Sequence, residues 1–123
     1  MAARPLGGDV VKVVRFGQAP TFEPAGHDGV LNRALVSQTW QGVDAVSVWH
    51  GSFEADGSSD LHVHEQSVQV YVVLTGAFVV GTGAEQHRLE VNDTVIISAG
   101  EPHSIAAADG AASVLVVSAP ALR

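Results

Sequence analysis

Along most of this chain apolar residues recur with a period of two. Segments 10–16, 30–37, 43–53, 61–64, 68–75 and 77–81 read as strands, followed by 87–91, 95–97, 104–107 and 114–118. They concentrate Val, Ile, Thr and aromatic residues, which fit a pleated, half-buried surface. Between them stand turn signals such as Pro24-Ala25-Gly26, Gln41-Gly42, Asp56-Gly57, Asn92-Asp93 and Asp109-Gly110, where Gly, Asn and Asp accept the backbone angles that turns require. No segment sustains an apolar stripe at helical spacing. Short strands joined by Gly-rich turns predict an all-β sandwich or small barrel. In segment 95–97 neither face is polar, which predicts a central strand. Segment 10–16 stands apart: a strand ahead of a small barrel is expected to pair with the edge of a neighbouring copy, making a homodimer with residues 1–20 at its interface.

At 123 residues the chain is expected to form one domain spanning 1–123. Hydrophobic residues are 46% and charged residues 15%, a composition that excludes wholesale disorder. The net charge of −7, with no basic cluster, argues against nucleic acid as a partner. The absence of cysteine removes disulfides, Fe–S clusters and thiol catalysis. The N-terminal stretch has no apolar run of signal-peptide type and no segment is long enough to span a bilayer, so the expectation is a cytoplasmic protein without a membrane partner.

The chemistry-bearing residues are histidines. His62 and His64 are two apart, so on a strand both imidazoles leave the same side. His103 follows a second apolar strand across Gly100-Glu101-Pro102. Three imidazoles converging with open positions suit a transition metal. If His62 and His64 face inward, Gln69, Tyr71, Val73 and Thr75 share one face of the next strand, with Gln69 nearest the histidines. Tyr71 could orient a ligand through its hydroxyl. Glu65, in the loop beside His64, is a weaker candidate for a general base. His50 shares a face with Val46 and Val48 and is a weaker candidate for a pocket residue. His27 and His87 lie beside turn signals and are expected to be exposed. Trp40, Trp49, Phe53 and Phe78 are expected in a core or a dimer interface.

Two segments resemble the signature motifs of the cupin superfamily. The first is Gly57, four residues, His62-Val63-His64, four residues, Gln69, six residues, Gly76; the second is Asn92, five residues, Ser98-Ala99-Gly100, two residues, His103, three residues, Ala107. They cover about 57–76 and 92–107. The resemblance implies a jelly-roll barrel, or double-stranded β-helix, with one divalent transition metal held by His62, His64 and His103 and with Gln69 where most relatives carry Glu. Fe, Mn, Ni, Zn or Cu would suit the set, and a neutral Gln in place of Glu leaves the ion a stronger Lewis acid while weakening its hold on hard cations. Asn92 replaces a turn Gly, which Asn can do because it tolerates positive φ. Cupins of this size include quercetinase-like dioxygenases, isomerases, polyketide cyclases and lyases. The resemblance thus implies a metal-dependent enzyme acting on a small oxygen-rich organic molecule. The alternative is a non-catalytic cupin that binds a small molecule, with or without metal.

Overall fold

The computed structural model describes residues 11–122. They form an antiparallel β structure with strands β1 (Thr21–Phe22), β2 (His27–Val36), β3 (Ser47–Ser59), β4 (Val68–Thr82), β5 (Gln86–Leu89), β6 (Thr94–Ile97) and β7 (His103–Ala119). The order across the sheet is β1-β2-β3-β7-β4-β5, with β6 paired to β4. Among the described residues no helix is long and apolar enough to cross a membrane.

The barrel follows from three long strands that each serve two layers. The last part of β4 (Ala77–Thr82) pairs with His103–Ala108 of β7, while its first part (Val68–Val73) pairs with Val114–Ala119. Between the two pairings the register shifts around Gly76, and β7 passes through Asp109 (φ 60°) and Gly110 (φ 121°). β3 shifts likewise between Phe53 and Ser58. An extra residue in one strand bends it and steepens its twist, which is how a strand turns the corner from one sheet to the next. One layer therefore consists of β1, β2 from Val30 onward (its start, His27–Asp28, pairs with Ser58–Ser59 in the other layer), the first part of β3, the second part of β7, the first part of β4, and β6. The other holds the remaining parts of the long strands and β5.

The core fills the space between the layers. Phe53 meets Phe78 edge to face at 4.9 Å, and Val73, Val80, Ile105 and Val114 are buried around them. Edge-to-face contact sets the positive edge of one ring against the negative face of the other.

Several expected elements differ. Segments 68–75 and 77–81 are one strand, as are 104–107 and 114–118, because Gly76 and Asp109-Gly110 bend the chain without ending its pairing. Asp56-Gly57 also lies within β3 rather than at a turn. A Cβ at Gly57 would stand 2.6 Å from Gly29 O, so Gly is needed there for the close approach of two backbones. Segment 61–64 makes only an isolated bridge, His62 to His103. Segment 95–97 is an edge, not a central strand: β6 pairs with β4 alone and Ile96 is 72% exposed. Of segment 10–16, Val10 lies outside the described residues. Val11–Arg15 has no strand partner among the described residues, and Phe16–Gln18 is a single 3₁₀ turn. A short helix, α1 (Gln38–Gln41), was not expected; Ser37 Oγ accepts from Trp40 N at its start and Gly42 (φ 72°) ends it, the cap residues that stop signals predict. Phe53 and Phe78 are core residues as expected, whereas Trp40 is 49% exposed and lies against Phe22.

Gly76 offers a direct check on the corner. Its φ is +71°, and a Cβ there would stand 2.7 Å from Ala112 Cβ and 2.8 Å from Ala111 O. Neither strain can be relieved without moving β7. Gly76→Ala is expected to lower stability by about 2 kcal/mol or more in urea unfolding; an unchanged midpoint would show that the corner does not depend on this residue.

Candidate metal centre and ligand pocket

The histidines meet at the end of the barrel away from the bends. Gln69 and His103 lie on β4 and β7, on opposite layers and about equally far along their strands from Gly76 and Asp109. Their side chains therefore face each other across the opening. The loop after β3 returns past this opening: His62 N donates to His103 O and His103 N donates to His62 O, at 2.9 and 2.8 Å. This bridge places the His62 ring 4.3 Å from the His103 ring and 5.0 Å from the His64 ring, centroid to centroid. Thus His62 and His64 reach the site from a loop rather than a strand. The i, i+2 spacing still works, because the bridge keeps the segment extended at His62.

Ring orientation is set by the backbone. His62 Nδ1 lies 2.7 Å from Asp60 O and His103 Nδ1 lies 2.9 Å from Glu101 O. A carbonyl can only accept, so each Nδ1 carries a proton and Nε2 is left as the nitrogen with a lone pair to offer a ligand. The His64 ring makes no hydrogen bond to any described residue, although its carbonyl accepts from Gly100 N at 2.8 Å; burial together with its histidine neighbours pushes its pKa down to about 4. The His103 pKa is lowered as well, chiefly by burial. At neutral pH His64 and His103 are uncharged donors of lone pairs. The ligating atoms of His62, His64 and His103 all lie within 4.8 Å of one another, and this donor set could coordinate one metal ion.

Gln69 is 3% exposed and held at both ends of its amide. Tyr71 OH donates to Oε1 at 2.7 Å, and Nε2 donates to Ser118 Oγ at 3.1 Å. In this orientation Oε1 also lies 2.9 Å from His103 Nε2. With Nδ1–H given to Glu101 O, that contact sets one lone pair against another, and a positive charge between them would relieve it. The chemistry of the donor set thus fits a cation.

A pocket of about 450 Å³ opens beside the histidines, within the size range of small-molecule sites. Val114, Val116, Ile105 and Trp49 give it apolar walls, and Tyr71 and Gln69 face it near the histidines. Tyr71 is 3% exposed and burial raises its pKa, so it stays a protonated donor. Its hydroxyl is engaged with Gln69 and orients that amide.

Other expectations change here. His50 does not line the pocket. It faces the other side of β3 and packs edge to face on Phe16 at 4.8 Å, while Trp49 points inward. Glu65 is exposed and borders a shallow neighbouring groove, not the main pocket. His27, expected to be exposed, is half-buried at the pocket rim, its ring 5.5 Å from that of His62 and its Nδ1 2.8 Å from Ala25 O. The adjacent turn concealed it, since a ring beside a turn can fold back as readily as extend into water. His87 is exposed, with Nε2 2.9 Å from Glu85.

The lowered histidine pKa values carry a pH dependence. In the unfolded chain His64 titrates near its ordinary value of 6.5, and in the folded chain near 4. Above pH 6.5 it is neutral in both states. As pH falls from 6.5 toward 4 the unfolded state binds the proton first, so folding loses free energy across that window. His27, His50 and His103 shift in the same direction. Thermal melts of chelator-treated protein are expected to show Tm falling between pH 7 and pH 5, less steeply in His64→Asn. A Tm that held level or rose on acidification would contradict the neutral assignment.

Comparison with known proteins agrees with this architecture. No curated protein matches the sequence. Among solved structures, KdgF from a Halomonas species superposes with a TM-score of 0.74 at 18% identity, over 86% of this chain and 92% of that one. A predicted oxalate decarboxylase from Thermotoga maritima gives 0.77 at 23% identity, over 89% and 99% of the two chains. The polyketide cyclase RemF from Streptomyces resistomycificus gives 0.77 at 21% identity, over 89% and 80%. At these identities the likeness is one of fold. The model of the cupin domain matches residues 49–118, which take in both histidine segments, the bends of all three long strands and Gln69, and the chain belongs to the cupin family.

Proposed function

We propose that this chain is a single-domain cupin, over residues 1–123, that binds one divalent transition metal through His62, His64, His103 and Gln69. On this reading it is an enzyme acting on a small oxygen-rich organic molecule, in the manner of a dioxygenase, isomerase or cyclase. The observation that carries the reading is the convergence of three imidazoles whose ligating atoms lie within 4.8 Å of one another, two of them with Nδ1 committed to backbone carbonyls. Such second partners fix the tautomer a metal ligand needs. The described fold neighbours include a polyketide cyclase and a predicted oxalate decarboxylase, both names that imply oxygen-rich substrates.

When bound, such a metal supplies Lewis-acid polarisation of a substrate oxygen and, if redox-active, one-electron chemistry. The chain's own residues do the rest. His62 and His103 point their Nδ1–H groups at Asp60 O and Glu101 O, which leaves Nε2 as the nitrogen of each ring that would ligate. Tyr71 and Ser118 keep the Gln69 amide from turning away. Trp49, Val114 and Val116 exclude water from one side of the pocket, which strengthens any electrostatic interaction inside it. The Gln69 carbonyl leaves the full charge of the cation uncompensated, a condition that favours anionic oxygen ligands.

A second reading, a non-catalytic cupin that binds a small molecule, is favoured by one observation: Glu65, the carboxylate next to the histidines in sequence, lies outside the pocket. O₂ uptake or product formation across diketones, flavonols and catechols separates the two. A homodimer in the cytoplasm completes the proposal, and sedimentation equilibrium of the full chain tests the dimer.

Plasma mass spectrometry of untagged protein, purified without chelator, is expected to find about one transition-metal ion per chain. His62→Ala and His64→Ala should each reduce it at least tenfold. Gln69→Glu should tighten Mn²⁺ relative to Zn²⁺ by about tenfold, because a carboxylate adds charge and a harder oxygen. No metal after purification, and none retained after Fe²⁺, Ni²⁺ or Zn²⁺ is added back, would overturn the metal-centred reading.

A further inference from the structure

One polar side chain on the pocket wall has no protein partner yet stays open to the pocket. Asn32, on β2, is 4% exposed, and its amide makes no hydrogen bond to any described residue. Every other buried polar residue among the described ones, from Ser37 to Ser118, has a side-chain partner: Ser47 and Ser59 accept backbone N–H groups, Ser67 donates to Pro120 O, and Gln69, His103 and Ser118 belong to the metal-centre network. An amide set in an apolar pocket wall with no protein partner calls for a reason.

The amide has room and an outlet. Val30, Asn32 and Ala34 alternate inward along β2, which puts Asn32 on the pocket wall with Trp49 and Phe53. Opposite it on β3 is Gly51, and a Cβ there would stand 3.0 Å from Asn32 Oδ1. Gly51 thereby leaves the space that the amide occupies. Trp49 Nε1 and His50 Nδ1 are also without a partner but are sealed from solvent, whereas Asn32 lines the pocket.

We infer that Asn32 is a specificity-determining residue that hydrogen-bonds the end of the ligand remote from the histidines, and that this end is an uncharged group such as a hydroxyl, carbonyl or amide. This rests on the metal-centred reading above. An amide offers both a donor and an acceptor and suits neutral oxygen- or nitrogen-bearing groups. Among the described residues the pocket lining holds no lysine or arginine, and Glu23 stands at its edge. Phosphate or carboxylate at that end would be desolvated without a counter-charge, so the pocket discriminates against them.

The test uses catechols on zinc-loaded protein, since their paired oxygens chelate the metal and leave the far substituent to probe Asn32. Calorimetric affinities are compared for 3,4-dihydroxybenzamide and 3,4-dihydroxyphenylacetamide against 4-isopropylcatechol and 4-isobutylcatechol, shapes similar but apolar. From wild type to Asn32→Leu the amide-to-alkyl affinity ratio is expected to fall about tenfold at one of the two lengths, with zinc content unchanged and Tm equal or higher. Asn32→Ser, smaller and still polar, should give an intermediate ratio and serves if the leucine variant does not fold. An equal ratio in all three proteins, with catechol binding intact, would overturn the role of Asn32 alone. Catechols that bind none of the zinc-loaded proteins would overturn the metal-centred reading and this inference with it.

Discussion

The bends in β3, β4 and β7 govern everything else in this molecule. A flat sheet of these strands would expose one apolar face, and no separate layer exists to cover it. By turning at a bulge each long strand enters a second layer, and the inward residues of one layer become the cover for the other. Hydrophobic burial drives the closure, but the corner itself demands positive φ at Gly76, Asp109 and Gly110, where side chains are penalised. Few residues thus set the shape that many residues stabilise.

The site inherits its geometry from those corners. Gln69 and His103 confront each other because their strands leave a common bend in different layers. The return loop supplies His62 and His64, pinned by a reciprocal backbone bridge to His103. All but the His64 ring among these groups are then restrained by a neighbour: carbonyls hold two Nδ1 atoms, and Tyr71 and Ser118 hold the amide of Gln69. Rings fixed in this way keep lone pairs directed at a common volume, which lowers the entropic cost of gathering them around an ion.

Polar groups in the barrel divide into two kinds. Gln69, Tyr71, Ser118, His62 and His103, near the metal-centre end, are held by neighbours and serve rigidity. Asn32, farther along the wall, is left open in an otherwise apolar surround. On the reading proposed above, such a pattern would orient a bound molecule by its far end.

Much of this was legible in the chain itself. Period-two patterning announced an all-β fold, because side chains on a strand alternate regardless of what the strand pairs with. The spacing of His62, His64, Gln69 and His103 marked the site and the cupin resemblance, since backbone geometry ties such spacing to a common side. Tertiary structure decided the remainder. Whether Gly76 or Asp109-Gly110 ends a strand or bends it depends on partners far away in sequence, and local preference for positive φ is the same in both cases. Exposed Ile96 and rim-bound His27 depend likewise on what the assembled barrel leaves uncovered. The inward placement of Trp49 rather than His50, and of Asn32 against Gly51, follows from the register of β2 on β3, and register is set by the packing of the whole sheet.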